Sequence, residues 1–117
     1  MIQPSPSVLV GIGGALGALL RYATTARLDV EAFPYGTLAV NVLGSFGLGL
    51  LTFSGVGGDW LLLLGVGACG AFTTFSSFAH DTVRLVEAAH PRRGAANALG
   101  TLMAALGAVG LAWLLVG

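Results

Sequence analysis

Four apolar segments, separated by connectors that hold most of the charges, dictate what this chain can become. They run from about Val8 to Leu28, Gly36 to Phe53, Trp60 to Val86 and Ala95 to Val116. Each is near or above the roughly 20 residues with which a helix crosses a bilayer. The connectors carry Arg27, Asp29 and Glu31, then Asp59, then Glu87, Arg92 and Arg93 around Pro91. Of 117 residues, 9% are charged and 56% hydrophobic. A soluble domain carries about a quarter charged residues, so this chain lacks the polar surface to cover a globule. The expected fold is all-α and membrane-integral: one domain over residues 1–117, with spans at about 8–28, 36–53, 60–86 and 95–116.

The same composition excludes several functions. Formal charge is zero and there is no basic patch, which argues against a nucleic-acid partner. Cys69 is the single cysteine and lies in an apolar run, so no internal disulfide forms and no metal signature exists. The start, Met1-Ile2-Gln3-Pro4-Ser5-Pro6, lacks a positive n-region and a cleavage pattern, so the first apolar segment is expected to be retained. His80 and His90 sit toward or beyond the end of the third span, with no nucleophile–base set. The protein is not expected to be an enzyme.

Glycine is abundant, at 19 residues, mostly within the spans. In lipid, small residues let helix backbones approach closely, and packing replaces hydrophobic burial as the associating force. Gly13/Gly17, Gly14/Ala18, Ser45/Gly49 and Gly100/Ala104 are spaced four apart. Such stripes serve packing within one four-helix unit or a subunit interface.

Gly70-Ala71-Phe72-Thr73-Thr74-Phe75-Ser76-Ser77-Phe78 interrupts the third segment with hydroxyls and rings. Polar, irregular backbone at membrane depth survives only buried in protein or lining a path for something polar. Gly70 is read as opening a break that unwinds to Thr74, which would leave carbonyls free for a bound cation. Phe75 and Phe78 are three apart and share a face, which suits core packing or a site whose positive ring edges meet an anion. Asn41, mid-span, needs a partner: either a neighbouring helix or an anion. Asp81 is a candidate by its depth, paired with Arg84 or in the path. Asn97 and Thr101 share a face of the fourth segment. Arg21 either snorkels to headgroups as an anchor or gathers anions at a vestibule.

These residues together resemble the CrcB/Fluc family of fluoride channels over nearly the whole chain. Gly13-Gly14-Ala15-Leu16-Gly17-Ala18-Leu19-Leu20-Arg21-Tyr22 is similar to the family's glycine-rich opening that ends in Arg-Tyr. Gly36-Thr37-Leu38-Ala39-Val40-Asn41 followed by Gly44-Ser45-Phe46 resembles its Gly-Thr-Leu-x-x-Asn-x-x-Gly-Ser-Phe pattern. Thr73-Thr74-Phe75-Ser76-Ser77-Phe78 resembles its Thr-Thr-Phe-Ser-Thr-Phe motif. Three departures stand out: Ala71 where a second glycine is common, Ser77 for threonine, and Asp81 for glutamate. Left-handed backbone at Ala71 would be strained.

The resemblance implies an antiparallel, dual-topology dimer of two four-helix subunits, with a broken third helix and two fluoride pathways along the interface. It implies ring edges from Phe75 and Phe78, the pore asparagine at Asn41, and polar contributions from Thr101 and Asn97. It also implies a polar track through Thr37, Ser77 and Asp81. A structural sodium ion is implied on the backbone carbonyls of Gly70 and Thr73 from two subunits. The activity implied is passive export of cytoplasmic fluoride across the plasma membrane, which relieves fluoride toxicity.

Arg27, Arg92 and Arg93 belong to the 1–2 and 3–4 connectors, with Arg21 and Arg84 nearby. Positive residues favour the cytoplasm, so those connectors are expected inside. An antiparallel pair needs both orientations, which sets a homodimer inserted both ways against a heterodimer with a relative of opposite bias. Two other classes compete. A small four-helix multidrug transporter depends on an acidic residue in the first span, and none is present. An accessory structural subunit explains the glycines but not the clustering of Asn41 with the Thr73–Ser77 hydroxyls.

Overall fold

In the computed structural model, which describes residues 3–117, the chain is helical apart from one pair of two-residue strands and short connecting turns. Met1 and Ile2, part of the start read as lacking a signal, lie outside the described residues. Helix α1 spans Pro6–Leu28. Pro6 opens it with an already helical φ, and the Ser5 hydroxyl accepts the Val8 N–H at 3.2 Å. Strands β1 (Asp29–Val30) and β2 (Phe33–Pro34) pair antiparallel, with Asp29 opposite Pro34, and lead into α2 (Tyr35–Phe53).

Pro34 precedes α2 and supplies no capping side chain. The cap comes from across the bridge: one Asp29 carboxylate oxygen accepts the N–H groups of Gly36 at 2.7 Å and Thr37 at 3.1 Å. A carboxylate there also meets the positive end of the helix dipole. We expect Asp29→Ala to cost about 1–2 kcal/mol of stability, measured by chemical unfolding in detergent, and Asp29→Asn to lose less.

The third span is two helices. The first, α3, covers residues 58–72: a turn at Gly58–Trp60, a wide π-helical stretch at Leu61–Cys69, and a last turn at Gly70–Phe72. In the wide stretch hydrogen bonds reach five residues back, as from the Gly70 N–H to the Gly65 carbonyl. The second, α4, covers Phe75–Glu87. The break between them falls at Thr73–Thr74, where the backbone is extended. This corrects the expectation that Gly70 opens the break: Gly70 is still helical, at φ −60° and ψ −37°. The strain anticipated at Ala71 does not arise, because among the described residues the one non-glycine with positive φ is Ala89. Ala89 closes α4, with the His90 N–H bonded to the Leu85 carbonyl at 2.9 Å. Helix α5 follows at Pro91–Val116, with Pro91 in its first turn.

Helix α1 lies along α3, α2 along α5, and α4 along α5. Few large side chains are buried; Leu9, Val40 and Leu85 are the main apolar ones. Leu19, Leu20, Met103, Leu106 and Leu114 point outward, as a lipid solvent requires. Four helical spans, the broken third included, are long and apolar enough to cross a bilayer, and the chain is a multi-pass membrane protein.

The glycine stripes divide between the two readings. A Cβ on Gly13 or Gly17 would overlap the carbonyl of Leu63 or Ala68, so this stripe packs α1 on α3 within one chain. A Cβ on Gly49 would lie 3.0 Å from Ala112 on α5. Gly100, by contrast, has nothing within 4 Å of an added Cβ, and its stripe is unused within the subunit.

Candidate functional site

The break is held open by one side chain. Asn41, in the middle of α2, faces Thr74 and bonds its backbone on both sides. Its Oδ1 accepts the Thr74 N–H at 2.7 Å, and its Nδ2 donates to the Thr74 carbonyl at 3.1 Å. An α-helix continuing through this point would send the Thr74 N–H to the Gly70 carbonyl, four residues back. Diverted to Asn41, it leaves that carbonyl with only the Thr73 hydroxyl, at 3.4 Å. The Thr73 hydroxyl also donates to the Cys69 carbonyl at 3.1 Å, which closes the end of α3. Thr74 then starts α4 by accepting the Ser77 N–H on its hydroxyl at 3.1 Å.

Around this break lies an open groove of about 380 Å³. Asn41, Gly70, Thr73, Phe75, Phe78 and Thr101 all line it, with Ser45, Leu48, Leu102 and Ala105 completing its walls. The two rings stand 5.9 Å apart, tilted by 47°. Phe75 is 79% exposed, so within one chain most of this large ring is left uncovered.

A second hollow, about 330 Å³, lies beside α4's first two turns and is lined by polar residues. It gathers Arg21, Thr37, Ser76, Ser77, His80 and the carboxylates of Asp29 and Asp81, with Thr25 beside them. The Thr37 hydroxyl donates to Asp81 Oδ2 at 3.2 Å. Arg84 Nε is 3.9 Å from the other Asp81 oxygen, and its Nη1 donates to the Glu31 carbonyl at 3.2 Å. Asp81 is therefore held at this mouth from two sides.

A family model described as "CrcB-like protein, Camphor Resistance (CrcB)" matches residues 8–113. The chain belongs to the CrcB family. It is 57% identical over 113 residues to "Fluoride-specific ion channel FluC 2" of Haloarcula marismortui, covering 97% of this chain and 95% of the relative. It is 56% identical over 111 residues to "Fluoride-specific ion channel FluC 1" of Halobacterium salinarum, covering 95% and 93%. A more distant relative is "Fluoride-specific ion channel FluC 1" of Streptomyces avermitilis, 45% identical over 108 residues, covering 86% and 87%.

In this CrcB chain the candidate residues fall into three places. The groove takes Asn41, Phe75, Phe78, Thr101, Gly70 and Thr73; the polar hollow takes Thr37, Ser77, Asp81 and Arg21. Asn97 lies in neither. It is fully buried, and its Nδ2 donates to the Thr82 hydroxyl at 2.8 Å. That hydroxyl donates to the Phe78 carbonyl at 2.8 Å, while the Thr101 hydroxyl reaches Asn97 Oδ1 at 3.5 Å. Asn97 thus ties the Phe78 turn to Thr101 from behind.

Sequence reasoning passed over Asp29, Ser45 and His80 as lining or supporting residues. The missing local cap before Tyr35 was the available signal for Asp29. Nothing in the spacing marks Ser45 or His80, whose places depend on how helices cross.

Proposed function

We propose that this chain is a fluoride-selective passive channel of the plasma membrane that lets cytoplasmic fluoride leave down its electrochemical gradient. One observation carries the reading: a single groove joins the Asn41-clamped break to the Phe75–Phe78 ring pair and the Thr101 hydroxyl. The printed names of relatives more than half identical point the same way.

The chemistry fits a small, strongly hydrated anion. Dehydration is the main barrier, and water's donors must be replaced by others of comparable total strength. The groove offers hydroxyl and amide hydrogens and positive ring edges, with no arginine or lysine in its lining. A fixed cation there would trap the ion, and conduction requires binding weak enough to release. Arg21 lies in the polar hollow and not in the groove, and it shares that hollow with the Asp29 and Asp81 carboxylates, which offset its charge. No covalent step or energy source is needed for passage, so the proposed activity is transport and not catalysis.

The groove is open along one side, and exposed Phe75 with the unfilled Gly100 stripe suits closure by a second copy. We take that copy to be antiparallel, giving two pathways per dimer. A homodimer is favoured, with a heterodimer formed by a relative of opposite charge bias as the alternative. The basic ends of the spans favour cytoplasmic 1–2 and 3–4 connectors in any copy obeying charge bias.

A structural sodium ion suits the break. The Gly70 carbonyl has lost its helical donor, and Thr73, in extended backbone, turns its carbonyl out of the α3 ladder. These two oxygens would hold the ion together with the partner's pair. Enclosed by four carbonyl oxygens, it would tie the broken helices together in place.

The test is a fluoride electrode on fluoride-loaded proteoliposomes. Wild-type protein should empty the vesicles of fluoride and retain chloride. Phe75→Ile and Phe78→Ile, which keep apolar volume but remove the ring edges, should each slow efflux at least about tenfold, a loss of roughly 1.4 kcal/mol. Wild-type rates in both variants would reject the ring-edge role. No fluoride movement by wild-type protein would favour an accessory structural subunit.

A further inference from the structure

At the ends of the spans, a third hollow serves no part of the proposed pathway. It has a volume of about 310 Å³ and is lined by Glu31, Arg84, Leu85, Ala88, His90 and Arg93, with Ala32 at its edge. Glu31 and Ala32 join the first two spans; Ala88 and His90 join the last two. The hollow therefore lies at the depth of lipid headgroups. Its walls come from a single chain, so it exists whatever the partner.

We propose that this hollow binds the phosphate of a membrane lipid headgroup. Arg84 is pre-positioned by its bond to the Glu31 carbonyl, which holds the guanidinium plane with other N–H donors to spare. Planar guanidinium groups recognise phosphate oxygens in paired fashion. Arg93 has no carboxylate within 4.0 Å among the described residues, since the one ion pair there joins Arg84 to Asp81. Its charge is thus uncommitted within the chain. His90 and Arg93 also line the adjoining hollow with Arg92, which extends the basic surface. Exposed Leu28, Val30, Val83 and Val86 lie on the same span ends and offer an apolar skin for acyl chains. Glu31 opposes an anion and Asp81 offsets part of the Arg84 charge, but Arg93 with Arg92 beside it keeps this surface basic, and basic pockets between helices at this depth fit lipid headgroups.

The test is native mass spectrometry of purified protein in an uncharged detergent, titrated with phosphatidylglycerol. Arg84 faces Asp81, so Arg93→Gln is the cleaner variant. It should weaken phosphatidylglycerol binding roughly fivefold, the worth of one near-surface cation. Arg27→Gln removes the same charge outside the hollow and should bind as wild type; Glu31→Gln should bind more tightly. Equal losses in Arg93→Gln and Arg27→Gln would reduce the effect to diffuse surface charge and overturn the site. So would wild-type binding by Arg93→Gln. Equal retention of diacylglycerol, which lacks the phosphate, would also overturn it. Displacement of the lipid by millimolar inorganic phosphate would assign the hollow to the free ion and overturn the lipid. None of these outcomes depends on fluoride transport.

Discussion

Asn41→Ala is expected to reduce fluoride efflux on the order of a hundredfold while leaving a folded, four-helix protein. The variant removes both bonds that hold the Thr74 backbone. An unpaired N–H at this depth costs about 1–3 kcal/mol, and the chain has a ready remedy. Four residues back stands the Gly70 carbonyl, which lost this same donor to Asn41. Healing the helix satisfies both groups, but it rotates Phe75 and Phe78 away from the positions that Thr74's extended backbone gives them. A population penalty of about 2.7 kcal/mol corresponds to the hundredfold loss. Asn41→Asp separates clamp from pathway. Its ionised carboxylate still accepts the Thr74 N–H but has no hydrogen for the Thr74 carbonyl, so the half of the clamp that diverts this N–H from Gly70 persists, while a negative charge enters a groove proposed to carry an anion. Hydrogen exchange at Thr74 distinguishes the two: faster or re-registered in Asn41→Ala, near wild type in Asn41→Asp, with efflux lost in both. Wild-type efflux from Asn41→Ala would reduce Asn41 to a dispensable helix contact.

This clamp marks the boundary of what the sequence discloses. The need for a partner at Asn41 follows from its depth alone, because an amide among Val40, Val42 and Leu43 has no water. That the partner is Thr74, 33 residues away, depends on the crossing of α2 with the broken span. The position of the break misled for a related reason. Glycine at Gly70 suggests unwinding on local propensity, yet Gly70 stays helical. The interruption comes where tertiary hydrogen bonding from Asn41 and capping by the Thr74 hydroxyl outweigh helical continuation. The spans themselves were legible because hydrocarbon favours long apolar helices and tolerates a break only where protein covers it. The π-helical stretch at Leu61–Cys69 was not, since leucines and small residues fit either winding. The ring pair was legible as a pair, at three-residue spacing. Its exposure on an open groove was not, because spacing says nothing about which face a subunit leaves unfilled. Asn97 shows the opposite limit: it shares a helix face with Thr101, yet one lies wholly behind the groove and the other at its edge.

The contact between α1 and α3 should be the least forgiving part of the molecule, and Gly17→Val should yield no monodisperse protein. Here two backbones touch. A Cβ on Gly17 would overlap the Ala68 carbonyl, one on Gly13 the Leu63 carbonyl, and one on Gly67 would lie 2.8 Å from the Val10 carbonyl and 3.0 Å from Gly13 Cα. Glycine stands on both sides of the seam, so neither helix can yield into a space left by the other. Ordinary core overpacking costs about 1–3 kcal/mol because side chains can shift. A clash with a carbonyl oxygen moves a whole helix, and loss above about 4 kcal/mol is the reasonable scale. In lipid there is little hydrophobic gain to offset it, since a helix displaced from its partner meets acyl chains as apolar as the seam it left. The effect would also travel, because α3 ends at Phe72, directly before the Thr73–Thr74 break that Asn41 holds. Gly11→Ala provides the control on the same helix, as nothing lies within 4 Å of its Cβ, and it should match wild type in yield and thermal midpoint. Even Gly17→Ala should lower both sharply. If Gly17→Ala instead purified like Gly11→Ala, the two helices would have to sit farther apart than this packing allows, and the break would have lost the rigid support on which the proposed pathway rests.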